Sequence, residues 1–436
     1  MQTCDLLIKD SSVLINADTL REHMDIAINA GRIEEAGTGL WKKYQASEII
    51  NGKGKLFMPG LIDSHIHTGQ QLLKGLVLDA KPIIWTRIML PFESTLTPEK
   101  MRLSAQAAAL EMIKSGTTGF IDAGSYFMED AADVYAESGL RGALSYSTMD
   151  EEGLPESIAM SAKEAVKRTD SLYDRFHGKG NLKVYYSLRA LNSCSSRLVE
   201  LESEHARERG TMLQAHMNEY MGEINGIMAR EGMRPYEYLE KMQVLDSRFL
   251  GAHSLILSDE EKALIKEKGV KVCHCPFSNC GKAVPDTPQL LDMGISVGMG
   301  TDGAAHGGLS LWNEMKIFRS LMNIYHGVPG SNPKIMPAET IFRMVLEGGA
   351  AALSEEGSLG RLESGYKADI ISINMDQPHL CPTGNQLHTL LECVNAGDVA
   401  DMIVGGRIIM KDREVLSMDE EKILYESGKY MESVNK

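Results

Sequence analysis

Between residues 58 and 366 the chain alternates short apolar runs with longer amphipathic stretches, and this alternation limits its possible folds more than any other feature. A strand buried on both faces reads as a short apolar run, whereas a helix packed on a sheet reads with a period near 3.6 residues. Strands are expected to end near His65, Ala123, Ser147, Ser187, His216, His253, Cys275 and Asp302. Helical stretches such as Pro98 to Ser115, Ser196 to Arg209, Ser258 to Lys268 and Pro285 to Met293 lie between them. Repeated strand–crossover–strand units imply a parallel sheet, and eight strands is the number that closes a barrel. The expected class is therefore α/β, a (β/α)8 TIM-like barrel over 58–366.

The flanks have a different texture. Asp5-Leu-Leu-Ile-Lys, Met24-Asp-Ile-Ala-Ile-Asn and Arg32-Ile-Glu-Glu-Ala near one end, and Ala368-Asp-Ile-Ile-Ser-Ile-Asn, Val399-Ala-Asp-Met-Ile-Val and Arg407-Ile-Ile-Met-Lys near the other, read as short strands bounded by turn residues. Segments 1–57 and 367–436 are expected to combine into one small β-sandwich domain beside the barrel.

With 436 residues, the chain is long enough for that division and for a sizeable core. A net charge of -15 argues against general affinity for nucleic acid or for an anionic membrane surface, both of which need a basic face. No apolar run reaches the roughly 20 residues that cross a bilayer, and MQTCDLLIKD has no signal-like pattern. Seven scattered cysteines fit reduced thiols better than a disulfide framework, so the expected location is cytoplasmic.

Chemistry concentrates at the strand ends. His65 and His67 are two residues apart, and on a strand that spacing puts both imidazoles on one face. An HxH pair alone is common. Three further strands, however, end in ligand-type residues, at His216, His253 and Asp302. In a barrel every strand C-terminus opens at the same mouth, so four histidines and an aspartate would converge there on a zinc- or iron-type site.

These residues also carry a resemblance. Pro59-Gly-Leu-Ile-Asp-Ser-His-Ile-His67, His216-Met-Asn-Glu219, Ala252-His-Ser254 and Gly300-Thr-Asp-Gly303 resemble the amidohydrolase superfamily. Within it they are similar to the deaminase and chlorohydrolase branch, which includes S-adenosylhomocysteine/methylthioadenosine deaminases, guanine deaminases and triazine hydrolases. Ser115-Gly-Thr-Thr118, Gly357-Ser-Leu-Gly360 and Gly365-Tyr-Lys-Ala-Asp369 extend the likeness over nearly the whole chain.

The resemblance implies one divalent metal, zinc with iron(II) as the alternative, held by His65, His67, His216 and Asp302. Such a metal lowers the pKa of a bound water from about 15.7 toward about 7. Asp302 would also accept the water's proton, and His253 would hydrogen-bond the nucleophile or the developing oxyanion. Glu219 would protonate a ring nitrogen as hydroxide adds to the amidine carbon. Two absences narrow the branch. Lys183-Val-Tyr-Tyr-Ser-Leu-Arg-Ala190 has no lysine at its C-terminal end to bridge two metals. Around Cys273, Cys275 and Cys280 the cysteine spacing of small cytidine-type deaminases is missing, and a structural role is expected for these thiols.

Substrate choice rests on four residues. Trp85 and Glu93 match the region where adenosine-type relatives stack on the base and bind ribose hydroxyls. Arg189 departs from that pattern, because arginine only donates and so suits a keto oxygen or a carboxylate. His306 replaces a Ser-Asn run. The expectation is a metal-dependent aminohydrolase that deaminates an amino-substituted N-heterocycle, namely a small-molecule S-adenosylhomocysteine, methylthioadenosine or adenosine-type nucleoside. Guanine- or pterin-type deamination is the alternative, followed by triazine-type dechlorination. A catalytically silent metabolite-binding barrel is the non-enzymatic one. A homo-oligomer is expected from the resemblance alone.

Overall fold

The computed structural model describes residues 1–81 and 83–434. Nine parallel strands occupy its middle: β1 (Leu61–Ile66), β2 (Thr117–Asp122), β3 (Arg141–Leu144), β4 (Leu182–Val184), β5 (Tyr186–Leu188), β6 (Leu213–Met217), β7 (Phe249–His253), β8 (Lys271–His274) and β9 (Val297–Met299). β1 to β4 pair in chain order as one sheet, and β5 to β9 pair in chain order as another. Only Tyr185 separates β4 from β5, so a single expected strand is recorded as two. The Tyr185 N–H donates to Leu144, whereas the Tyr186 N–H donates to Met212, so the partner changes at that residue.

The helices begin and end where their residues dictate. The helix Pro98–Ser115 starts with Thr97 accepting from the Lys100 N–H and stops at Gly116, whose φ is 89°. Ser196–Arg209 starts on Ser195 and stops at Gly210. A reciprocal Ser258–Glu261 cap opens Asp259–Lys268. Each has a hydroxyl that satisfies a free N–H at the start and a glycine that takes the left-handed turn at the end. The fourth expected helix is shorter, Thr287–Asp292. Inside the parallel strands, Ile62, Ile121, Ala143, Tyr185, Leu250 and Cys273 form one buried cluster. Side chains from five strands, with Tyr185 from the junction of β4 and β5, therefore fill a common interior.

Two strands stop before their expected ends. β3 ends at Leu144, with an isolated bridge from Ser125 to Tyr146 beyond it, and β9 ends at Met299, with a parallel bridge from Ile66 to Asp302. In the second case the cause is local. Asp302 has φ 61°, in the left-handed region, so extended pairing cannot continue through it.

The terminal segments form a nine-stranded sheet, built by Gln2–Leu14, Leu20–Asn29, Arg32–Gly37, Tyr44–Asn51, Lys55–Pro59, Ile370–Asn374, Val399–Val404, Arg407–Lys411 and Glu414–Val415. Lys55–Pro59 joins its two halves, pairing parallel with the first strand and antiparallel with Ile370–Asn374. Leu6, Ile8, Ile26, Phe57, Ile370 and Ile403 are buried together within it. A buried ion pair links this sheet to β3: Arg141 donates to both Asp369 oxygens at 2.7 and 3.0 Å. A helix, Glu420–Val434, follows the last strand and was not foreseen from the sequence. No helix among the described residues is long and apolar enough to cross a membrane.

Candidate metal centre and active site

β1 delivers His65, with His67 immediately after it; β6 delivers His216; and β7 ends on His253. Asp302 arrives from the turn after β9. Glycine makes that approach possible, since a Cβ on Gly300 would lie 2.8 Å from the backbone N and O of His65. Asp63 ties the same two strands together, accepting from the Thr301 N–H at 3.1 Å and from the Thr301 hydroxyl at 2.7 Å. Asn218, His253, Ser254 and Asp302 all have positive φ, so strain gathers at the strand ends that carry the polar residues.

The five side chains meet. His67 Nε2 lies 3.1 Å from His216 Nε2 and 3.3 Å from Asp302 Oδ1, and His65 Nε2 lies 3.7 Å from the same oxygen. Ligand atoms of His65, His67 and Asp302 fall within 4.8 Å of one another, as do those of His65, His216 and His253. Both ring nitrogens of His65 are buried without a hydrogen-bond partner among the described residues. Burial, reinforced by the neighbouring imidazoles, holds His65 and His216 well below the usual histidine pKa. Neutral imidazoles, an ionised carboxylate and an orphaned nitrogen facing a common point fit a divalent cation. For Asp302, burial favours the neutral acid, but the bond to His67 and the charges of Lys282 and His253 outweigh it and hold the group well below the usual range.

Glu219 lies just beyond β6. Its backbone N–H donates to Glu223 Oε2 at 2.9 Å, and the Asn218 N–H donates to Glu223 Oε1 at 3.2 Å, so the first turn of the helix Met221–Glu231 fixes where the side chain starts. Glu219 Oε1 is 3.5 Å from His253 Nε2. Burial raises the Glu219 pKa, yet His253 and Lys282 together bring it below the ordinary value. His253 is held through Nδ1, 3.1 Å from Asn279 Oδ1, while its Nε2 is buried with no hydrogen-bond partner among the described residues.

Lys282 was not anticipated from the sequence. Its ammonium donates to Glu219 Oε1 and to Ser278 Oγ, the latter at 2.7 Å, and lies 3.8 Å from Asp302 Oδ2. Nothing in Cys280-Gly-Lys282 marks it; the short helix Pro276–Asn279 turns the chain back toward the mouth.

Three of the four expected substrate residues come together. Arg189 Nη2 is 3.4 Å from Glu93 Oε1, and the Trp85 ring lies 5.9 Å from the guanidinium. Gln70 also donates to Glu93 Oε1, at 2.8 Å. Glu93 Oε2, Gln70 Oε1 and Trp85 Nε1 are buried without partners among the described residues, so polar capacity remains there for a ligand. Arg189 Nη1 also lies 2.9 Å from His67 Nδ1, which puts this group of residues against the histidine cluster. His306 sits in the half-buried turn directly after Asp302. Lys183 points elsewhere, donating to the Leu353 and Ser354 carbonyls at 3.0 and 2.8 Å. Cys273 and Cys275 are buried and free, and Cys280 is exposed and free. A cavity of about 940 Å³ at the opposite end of β9, beside Ile295, Val297, Lys334 and Glu347, has no histidine in its lining.

Known proteins match this chain along its length. Residues 56–409 match the amidohydrolase family. The chain is 32% identical to a 5-methylthioadenosine/S-adenosylhomocysteine deaminase of Acetivibrio thermocellus, over 97% of each chain. It is 33% identical to a 5'-deoxyadenosine deaminase of Methanocaldococcus jannaschii, over 98% of each. An adenosine deaminase from Xanthomonas campestris, solved with bound zinc, has a TM-score of 0.93 over 100% of this chain and 99% of that one; at 23% identity this likeness speaks for the fold alone. On the family match and the full-length relatives, this chain belongs to the amidohydrolase family.

Proposed function

We propose that this protein is a metal-dependent aminohydrolase that deaminates adenosine-type nucleosides, including S-adenosylhomocysteine and methylthioadenosine, to the inosine analogue and ammonia. One observation carries the reading: His65, His67, His216 and Asp302 converge with Glu219 beside them. The relatives named for deamination of such nucleosides support the substrate class. We read residues 58–366 as a closed barrel, supported by the Ile66–Asp302 bridge, and 1–57 with 367–436 as the sandwich domain beside it. We read the location as cytoplasmic on the scattered cysteines of the sequence.

His65, His67, His216 and Asp302 would hold the metal, with zinc suited to three imidazoles and one carboxylate. Bound there, it would supply a nucleophile at neutral pH by acidifying water. The chain's own groups do the remaining work. Glu219 enters the cycle as a carboxylate, because His253 and Lys282 hold its pKa down. It must therefore take a proton from the attacking water and pass it to the ring nitrogen, so that water adds across the C–N bond and the adduct carries no net negative charge in a dry pocket. His253, fixed by Asn279, keeps Nε2 toward the reacting centre. Trp85 would cover the base, and the open Glu93 oxygen would accept from sugar hydroxyls.

Arg189 favours a second reading. A guanidinium beside Trp85 and Glu93 matches the keto edge of a guanine- or pterin-type base. Ammonia release from a panel of adenosine-type nucleosides, guanine and pterins separates the two. Turnover of nucleosides supports the first reading; turnover of bases alone replaces it with the second.

A further inference from the structure

Three overlapping groups in this mouth have metal-ligand spacing: His65–His216–His253, His65–His67–Asp302 and Glu219–His253–Asp302. The third would place a second cation next to the first. Its donors are open to one, since His253 Nε2 is buried with no hydrogen-bond partner among the described residues and faces Glu219 Oε1 at 3.5 Å and Asp302 Oδ2 at 4.0 Å. A protein cation already stands there. Lys282, with only 12% of its side chain exposed, holds Glu219 Oε1 and lies 3.8 Å from Asp302 Oδ2.

We propose that Lys282 is a built-in counter-cation. It occupies the Glu219–His253–Asp302 position, limits the centre to one metal ion and reserves Glu219 for proton transfer. Zinc binds carboxylate oxygens at about 2.0–2.2 Å, so at Glu219 it would compete with the ammonium for the same oxygen and be repelled by it. Ser278 completes the partition. It receives a bond from Lys282 at 2.7 Å and donates to Asp302 Oδ2 at 2.6 Å, while Asp302 Oδ1 faces His67 at 3.3 Å. One aspartate oxygen thus serves the histidine side and the other the lysine side. Lys282 is a positioning residue in this scheme, acting through Glu219.

The inference rests on the single-metal reading, and the test separates the two. Wild type, Lys282→Met, Lys282→Gln and the double variant Glu219→Gln/Lys282→Met are stripped with chelator, dialysed against zinc and assayed for bound metal. Folding is checked by thermal unfolding, and Lys282→Gln, which keeps a polar side chain beside Glu219 and Ser278, stands in where Lys282→Met fails to fold. The expected result is one equivalent in wild type, two in each single Lys282 variant and one again in the double variant. An anomalous difference map should put the added ion at Glu219. The proposal is overturned if folded Lys282 variants still bind one equivalent, if wild type binds two, or if the added ion lies elsewhere. Wild type binding none removes the single-metal reading itself.

Discussion

The Asp302 N–H donates to the His65 carbonyl at 2.9 Å, so the first and last parallel strands deliver their ligand-type side chains through one shared backbone bond. Gly300 permits that closeness, because a Cβ there would sit 2.8 Å from the His65 backbone. Gly300→Ala should push the two strands apart, costing about 1–3 kcal/mol of stability. Zinc affinity should drop roughly tenfold or more, equivalent to about 1.4 kcal/mol. Chelator competition alongside thermal unfolding reads both quantities. Unchanged affinity in a destabilised variant would mean that this contact serves the fold and not the site.

Glu219→Gln removes the proton carrier while keeping size and shape. Ammonia release should fall about 10²- to 10⁴-fold, with metal content unchanged. Parallel loss of metal would instead make Glu219 a ligand.

Glu93 bears on nucleoside against base. One of its oxygens takes bonds from Gln70 and Arg189, and the other has no partner among the described residues. Glu93→Gln should raise KM for nucleosides by roughly 10- to 100-fold, the worth of a hydrogen bond to a charged group. Steady-state kinetics with a nucleoside and with its free base test this, and an equal effect on both would separate Glu93 from the sugar.

Glu355 supplies a pH signature of the fold. Burial works against its charge, but bonds from Lys367, Ser358 and Lys183 prevail and bring its pKa down to about 2 from 4.5. A depressed carboxylate stabilises fully above its unfolded pKa and loses that contribution as pH falls toward its folded one. Glu355→Gln should therefore cost on the order of 2 kcal/mol at pH 7, with the gap to wild type closing between pH 4.5 and 2. Denaturant unfolding across that range measures it; a gap independent of pH would assign the effect to packing.

The histidine cluster was legible in the sequence because strand ends in a parallel α/β array share a mouth, so strand-terminal His65, His216 and His253 had to be neighbours. The helices Pro98–Ser115 and Ser196–Arg209 were equally legible, since hydroxyl caps and terminal glycines are local signals. Lys282 was not, because its bond to Glu219 spans 63 positions and depends on how one short helix turns. Arg189 showed its donor character but not its seat between Glu93 and His67, which tertiary packing alone determines. The strands Tyr44–Asn51 and Glu414–Val415 were also missed: the first has few apolar residues in alternation, and the second is only two residues long.

The most direct test is a zinc titration of chelator-stripped protein with S-adenosylhomocysteine present, following ammonia release. Release should start from near zero, rise in proportion to zinc and level off at one equivalent. Full turnover without added metal, or no ammonia from any nucleoside or base at any zinc ratio, would contradict the assignment.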